Sequence, residues 1–173
     1  MARRAELAAT HLLTEHHVIR PPVDVAKLAA CLNIAVVHRH FEDGEVSGML
    51  FRGDGREVIG VNSAHSPLRQ RFTIGHELGH HALHPGRELI LDMPVRVNFR
   101  DRTSSMATDR EEIEANAFAA ALLMPEQMIR TQLGQLPEKA RRDLDTASAT
   151  LADVFEVSLA ALSFRLINLG LTS

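Results

Sequence analysis

Residues 71–80 read Arg71-Phe72-Thr73-Ile74-Gly75-His76-Glu77-Leu78-Gly79-His80. The last five follow the pattern H-E-x-x-H. On a helix, one turn separates His76 from His80, so both imidazoles leave the same face and can grip one metal ion. Glu77 follows the first histidine directly and is placed to act as general base toward a water at that metal. This is the arrangement of a zinc hydrolase.

With 10 histidines in 173 residues, the pattern alone decides little, and its surroundings must support it. Ser66 before Pro67 is a good helix start, a capping hydroxyl followed by a ring pre-set for the first turn. Leu68, Phe72, Ile74, Leu78 and Leu83 then supply an apolar face. His84-Pro85-Gly86 ends the helix, because proline disfavours helix at the residue before it and Gly86 frees the chain to turn. The motif is therefore predicted to lie mid-helix.

A catalytic tetrahedral site needs a third protein ligand and one open position. The pattern H-E-x-x-H-x-x-G-x-x-H fails here, since Leu83 and Gly86 stand where its glycine and last histidine belong. His84 sits two turns from His76, about 12 Å along the axis, too far to share one ion. A second helix is predicted from Asp109, as a cap, to the boundary at Pro125, with acids crowding its positive end. Glu112 and Asn116 share one face there, continued by Ala119 and Leu123, while Glu114 lies about 200° around from Glu112. The face with Asn116 is the least charged and is expected to pack inward. Glu112 is thus the expected third ligand and Asn116 a group that orients one histidine from behind. Glu111 and Glu114 read as a solvated helix start.

Both blocks carry a resemblance. Residues 71–80, together with Glu112-Ile113-Glu114-Ala115-Asn116-Ala117-Phe118-Ala119-Ala120-Ala121-Leu122-Leu123-Met124-Pro125, resemble the ImmA/IrrE family of metallo-endopeptidases. That family pairs R-F-T-x-x-H-E-x-G-H with E-x-x-A-N-x-F-A-A-x-L-L-M-P. Weaker similarity extends to Pro22-Val23-Asp24, Gly48-Met49-Leu50, Ile59-Gly60-Val61-Asn62, Val157-Ser158 and Arg165-Leu166, so it covers most of the chain. The resemblance implies metal ligands at His76, His80 and Glu112, a catalytic Glu77, zinc or manganese as the ion, and a gluzincin-like intracellular protease. It also implies a protein substrate, an Xre-like helix-turn-helix repressor whose cleavage switches on stress, phage or mobile-element genes. The position after the second histidine is often tyrosine in this family and is His81 here, which leaves its role there open.

Composition fits a soluble globular protein, with 45% hydrophobic and 24% charged residues. The net charge of −3 points to neither a nucleic-acid nor a membrane surface. Cys31 is alone, which excludes an internal disulfide, and reads as a small buried residue on a helix. No apolar run nears transmembrane length and no signal peptide opens the chain, so a cytoplasmic location is expected.

The expected architecture is α+β. Residues 1–136 form a mostly helical zincin-like domain, with a small three-stranded antiparallel-type sheet beside the H-E-x-x-H helix. Residues 137–173 form a helical C-terminal segment, helix-turn-helix-like and packed on that domain. Ala5, Ala8, Ala9, Leu12 and Leu13 make one helical stripe. Val25, Leu28, Ala29 and Leu32 make a second, capped by Asp24. Ile34 to Val37 reads as a buried strand. Val46 to Phe51 and Glu57 to Val61 read as a hairpin turning at Gly53-Asp54-Gly55. An edge of such a sheet can hold an extended peptide by strand addition. Pro85 to Thr108 reads as irregular, either a substrate lid or a surface connector. A helix-turn-helix with its turn near Val157-Ser158 fits the C-terminal pattern. Residues 151–173 hold Asp153 and Glu156 against Arg165, however, which is the wrong balance for phosphates, and direct nucleic-acid binding is not expected.

The chain has no tyrosine, so a tyrosine donor to the oxyanion is excluded. His81, His84 and a loop arginine remain, although both histidines also suit the negative end of their helix. Two other functions stay open: a module that binds a regulator without cutting it, and a toxin–antitoxin or stress component with another partner. An intact Glu77 argues against a pure binder.

Overall fold

The structure, a computed structural model, describes residues 2–42, 46–53, 55–86, 88–92 and 102–171. The chain opens with helix α1 (Ala2–Glu15) and helix α2 (Val25–Cys31). Asp24 caps α2 by accepting from the Lys27 amide at 2.9 Å. Three strands follow: β1 (Ile34–Arg39), β2 (Gly48–Gly53) and β3 (Arg56–Asn62). Next come α3 (Pro67–Leu83), the short strand β4 (Leu89–Asp92) and the long helix α4 (Arg102–Leu123). Four helices complete the described chain: α5 (Glu126–Gln135), α6 (Glu138–Arg142), α7 (Leu144–Phe155) and α8 (Leu159–Asn168).

The β2–β3 hairpin is antiparallel, pairing Leu50 with Ile59 as the alternating pattern predicts. Its turn contains Asp54, which lies outside the described residues, and Gly55 at φ +70, a conformation glycine adopts without strain. The expectation of three antiparallel strands is corrected in two respects. Among the described residues the sheet has four strands in the order β1-β3-β2-β4, and β1 runs parallel to β3. Strand β4 lies inside the stretch read as irregular. Its four residues are too few to show a period, and pairing with β2 defines it. The parallel partner of β1 follows from α2 and β1 entering on the far side of β3, which local sequence does not reveal.

Strand β1 is also less buried than its apolar run implies. It is an edge strand, with Ile34 inside and Val37 38% exposed. The inner face of the sheet presents Leu50, Ile59 and Val61, all fully buried, toward α3. Helix α3 lies between this face and α4, contacting α1 and α2 as well. Its middle, Thr73 to His80, is therefore buried all round.

The helix boundaries of α3 are those the sequence predicts. Ser66 accepts from the Arg69 amide at 3.4 Å, Pro67 opens the first turn, and His84 is the C-cap before Pro85. Helix α4 departs from expectation by starting at Arg102, seven residues before the expected cap at Asp109. Polar residues read as loop by composition, but their helical penalty is only a few tenths of a kcal/mol (~0.5) each, and extending an existing helix is easy. Of the stretch 85–108, residues 87 and 93–101 lie outside the described residues, and the lid expectation falls largely there. Cys31 is exposed, at the end of α2, against the expectation that it is buried.

Leu151 and Phe155 of α7 and Leu162 and Leu166 of α8 join the same buried cluster as Leu122 and Leu123 of α4. Helices α7 and α8 meet at Glu156-Val157-Ser158, where Glu156 takes the left-handed conformation and Ser158 caps α8 through the Ala161 amide. Among the described residues no helix is long and apolar enough to cross a membrane.

Candidate metal centre

His76 and His80 leave α3 on one face, toward α4, with their Nε2 atoms 3.0 Å apart. Glu112 meets both from α4: Oε2 lies 3.1 Å from His76 Nε2 and Oε1 3.3 Å from His80 Nε2. Two imidazole nitrogens and one carboxylate oxygen lie within 4.8 Å of one another. The histidines are buried to within 2% and 1% of full, and the Glu112 side chain is 18% exposed. This donor set, borderline nitrogens plus a hard oxygen, suits a zinc-like divalent ion with a position left over.

The electrostatics prepare the donors. Burial is the main cause that lowers the His80 pKa from its ordinary value, which favours the neutral, lone-pair-bearing imidazole. Burial alone pushes Glu112 up, but hydrogen bonds with His76 and His80 outweigh it and hold the carboxyl at about 2. Glu112 is therefore ionised and His80 neutral at ordinary pH, as ligands must be.

Close packing of α3 on α4 brings the three together. A Cβ at Gly79 would sit 3.0 Å from Ala115 Cα and 3.1 Å from its carbonyl oxygen. Gly75 faces Ala119 in the same seam. On the other side, Glu77 is fully buried, and a Cβ at Gly48 of β2 would lie 3.2 Å from its Oε1 and 2.3 Å from Thr73 Cγ2. Only a glycine lets β2 run this close to the Glu77 carboxylate.

The surrounding residues divide. Asn116 Oδ1 lies 3.1 Å from His76 Nδ1, on the face predicted, although Asn116 is itself exposed. His84 Nδ1 lies 3.3 Å from His80 Nδ1, so His84 also stands behind a ligand histidine. His81 does not face the cluster: its Nδ1 pairs with Glu57 of β3. The expectation that Glu114 is solvated is corrected. Its side chain is only 12% exposed and its Oε2 lies 3.1 Å from His84 Nε2, because α1 and the end of α3 cover that face of α4. Sequence reading also missed Arg4, whose partners are Glu114 Oε2 at 3.3 Å and the Leu83 carbonyl at 3.0 Å. It missed Arg52 as well, which donates to the His80 carbonyl at 3.1 Å and to Glu57 at 3.2 Å. The one signal in the sequence was the third histidine at four-residue spacing, His84, whose outer nitrogen needs a partner.

The sequence model of the peptidase family described as the IrrE N-terminal-like domain matches residues 29–167. The chain is 30% identical over 103 residues to an uncharacterized immunity region protein of Bacillus phage phi105, covering 60% of each. It is 36% identical over 109 residues to the radiation response metalloprotease IrrE of Deinococcus radiodurans, covering 63% of this chain and 30% of that protein. A solved structure of a Mycobacterium tuberculosis transcriptional regulator shares the fold at a TM-score of 0.58 and 22% identity, over 95% of this chain and 46% of that one. The chain spans 60% and 30% of the length of the two sequence relatives.

Proposed function

Since the chain belongs to the ImmA/IrrE family of metallopeptidases, as the match over residues 29–167 shows, we propose that it is a metal-dependent endopeptidase that cuts a specific protein in the cytoplasm. The observation that carries this reading is the cluster of His76, His80 and Glu112 within 4.8 Å, next to the fully buried Glu77. His76, His80 and Glu112 would hold the ion, with zinc the first choice and manganese the second. The ion supplies Lewis acidity, lowering the pKa of water and polarising the peptide carbonyl.

Glu77 takes the proton of the attacking water on its carboxylate and returns it to the leaving amine nitrogen as the C–N bond breaks. Its full burial keeps bulk solvent away from the proton it carries between the two. Asn116 Oδ1 accepts from His76 Nδ1–H, which leaves the His76 Nε2 lone pair facing inward.

The substrate we favour is a helix-turn-helix repressor of the Xre type, cut at one site so that stress, phage or mobile-element genes are released. One relative belongs to a phage immunity region and the other is a radiation response metalloprotease, which supports a substrate that controls such genes. An extended substrate segment would add along β4, the outer strand among the described residues, hydrogen-bonded to β2, whose Gly48 lies against Glu77. We read residues 1–136 as the catalytic domain and 137–173 as a helix-turn-helix-like segment docked on it. Its acidic balance fits a protein contact better than DNA.

The test is cleavage of the helix-turn-helix regulator encoded beside this gene, with zinc or manganese added and Glu77→Gln as control. Specific cutting by the wild type alone is expected. Equal cutting by Glu77→Gln would refute the general-base role, and no cutting by a fully loaded wild type would refute this substrate.

A further inference from the structure

The two ligand histidines are backed differently. Behind His76 Nδ1 stands the Asn116 amide oxygen at 3.1 Å. Behind His80 stands a series of side chains: His84 Nδ1 at 3.3 Å, then Glu114 Oε2 at 3.1 Å from His84 Nε2, then Arg4 at 3.3 Å from the same carboxylate oxygen. The series passes from α3 to α4 to the first turn of α1. His84 and Glu114 are nearly buried, with side chains 8% and 12% exposed, so solvent does not readily replace either partner.

Proton placement along this series has one consistent solution when His80 acts as a ligand. His80 must offer a bare Nε2 to the ion, so its proton sits on Nδ1. That N–H points at His84 Nδ1, which must then be the accepting nitrogen. The His84 proton is left on Nε2, facing Glu114 Oε2, and an ionised carboxylate only accepts. Were His84 to carry its proton on Nδ1, two donors would face each other and His80 would be driven to protonate its ligand nitrogen. The Glu114 carboxylate selects against this arrangement.

We propose that Glu114 is a positioning residue for the metal centre, acting through His84 on His80, and that Arg4 of α1 holds the Glu114 carboxylate in place. The proposal rests on the metallopeptidase reading above. It assigns a role at the metal to residues from the far face of α4 and from the first helix. Glu114 touches neither ion nor substrate. It fixes which nitrogen of His80 is bare, and its negative charge raises the electron density that His80 offers.

The experiment measures zinc affinity by competition with a chromophoric chelator, without substrate. Glu114→Ala is expected to weaken zinc binding about tenfold to a hundredfold, the range found when the partner behind a ligand histidine is removed. Glu114→Gln, which keeps an accepting oxygen, should fall between wild type and Glu114→Ala. Arg4→Ala, at a more exposed position, should cost a few-fold (~3). Zinc affinity of a folded Glu114→Ala within about twofold of wild type would overturn the proposal, since such partners normally contribute far more.

A second readout on the zinc-loaded wild type covers the case in which Glu114→Ala does not fold. Long-range proton–nitrogen spectra should show His84 protonated at Nε2 and bare at Nδ1, and the opposite tautomer would overturn the proposal. Glu112→Ala and His76→Ala separate it from the reading beneath it. Loss of binding in these two, with wild-type binding in Glu114→Ala, sinks only the positioning role. Undiminished binding in His76→Ala would sink the metal centre and the proposal with it.

Discussion

Asn116 presents an amide oxygen to His76 Nδ1 from an exposed position on α4, and what matters is the single acceptor atom it supplies. Asn116→Ala should therefore leave the fold in place while weakening metal binding by roughly tenfold, the lower end for such partners, measured by the same zinc competition. The pH response of the metal-free protein has a definite sign. Burial holds the His80 pKa below its ordinary value, so the stability it contributes is present above about 6.5 and is lost as pH falls from there toward the folded value. Glu112 acts in the same direction but lower, its contribution present above about 4.5 and lost as pH falls from there through about 2. In chelator, the wild type should thus lose more melting temperature between pH 7.5 and 5.5 (~two units) than His80→Gln does. Equal losses would assign the acid sensitivity elsewhere. At this scale the sequence was legible where spacing alone sets geometry: His76, Glu77 and His80 are fixed by one helical turn, and Glu112 and Asn116 by another. Glu114 was not legible, because its burial depends on α1, more than a hundred positions away in the chain.

The seam between α3 and α4 depends on glycine and alanine. A methyl group at Gly79 would stand 3.0 Å from the Ala115 backbone, so Gly79→Ala should push α4 outward by a few tenths of an ångström and shift Glu112 with it. The expected cost is about 1–3 kcal/mol of stability, together with weaker zinc binding, read by urea unfolding and by chelator competition. Gly134 of α5 is the control, with nothing within 4 Å of a Cβ built there. Gly134→Ala should be neutral or stabilising by up to about 1 kcal/mol. If Gly79→Ala behaved like Gly134→Ala, the seam would not set the distance between the helices. Elements with a long period or a strong cap, such as α2, α3 and the β2–β3 hairpin, were readable from local pattern. The start of α4 and strand β4 were not, one because its first residues are polar, the other because four residues show no period.

The whole molecule is tied end to end by buried charge. Arg165 of α8 is 7% exposed, donates to the Met124 carbonyl at 3.0 Å, and grips Glu6 of α1 through both terminal nitrogens at 2.9 and 2.6 Å. Arg71 of α3 likewise reaches the carbonyls of Val23 and Glu156, joining the metal-site helix to the α7–α8 turn. Glu6→Ala should cost about 1.5–3 kcal/mol, because it strips a charged hydrogen-bond partner from a buried guanidinium. It should also shift urea unfolding without splitting the transition in two. A separate early transition would show the C-terminal helices unfolding by themselves, against the shared core cluster. The helical content of this region was legible from its apolar stripes, but the pairing of Arg165 with Glu6 joins positions too distant in sequence for any local pattern to carry.

Arg4 and Glu6 occupy one turn of α1, and each holds a different part of the molecule, the first the carboxylate behind His84 and the second the guanidinium of α8. Trimming the chain to Leu7 would cut both tethers at once. A preparation shortened in this way should arrive poor in metal and easily digested at its C-terminal end. A loss of activity on such trimming would then say nothing about whether α1 meets the substrate.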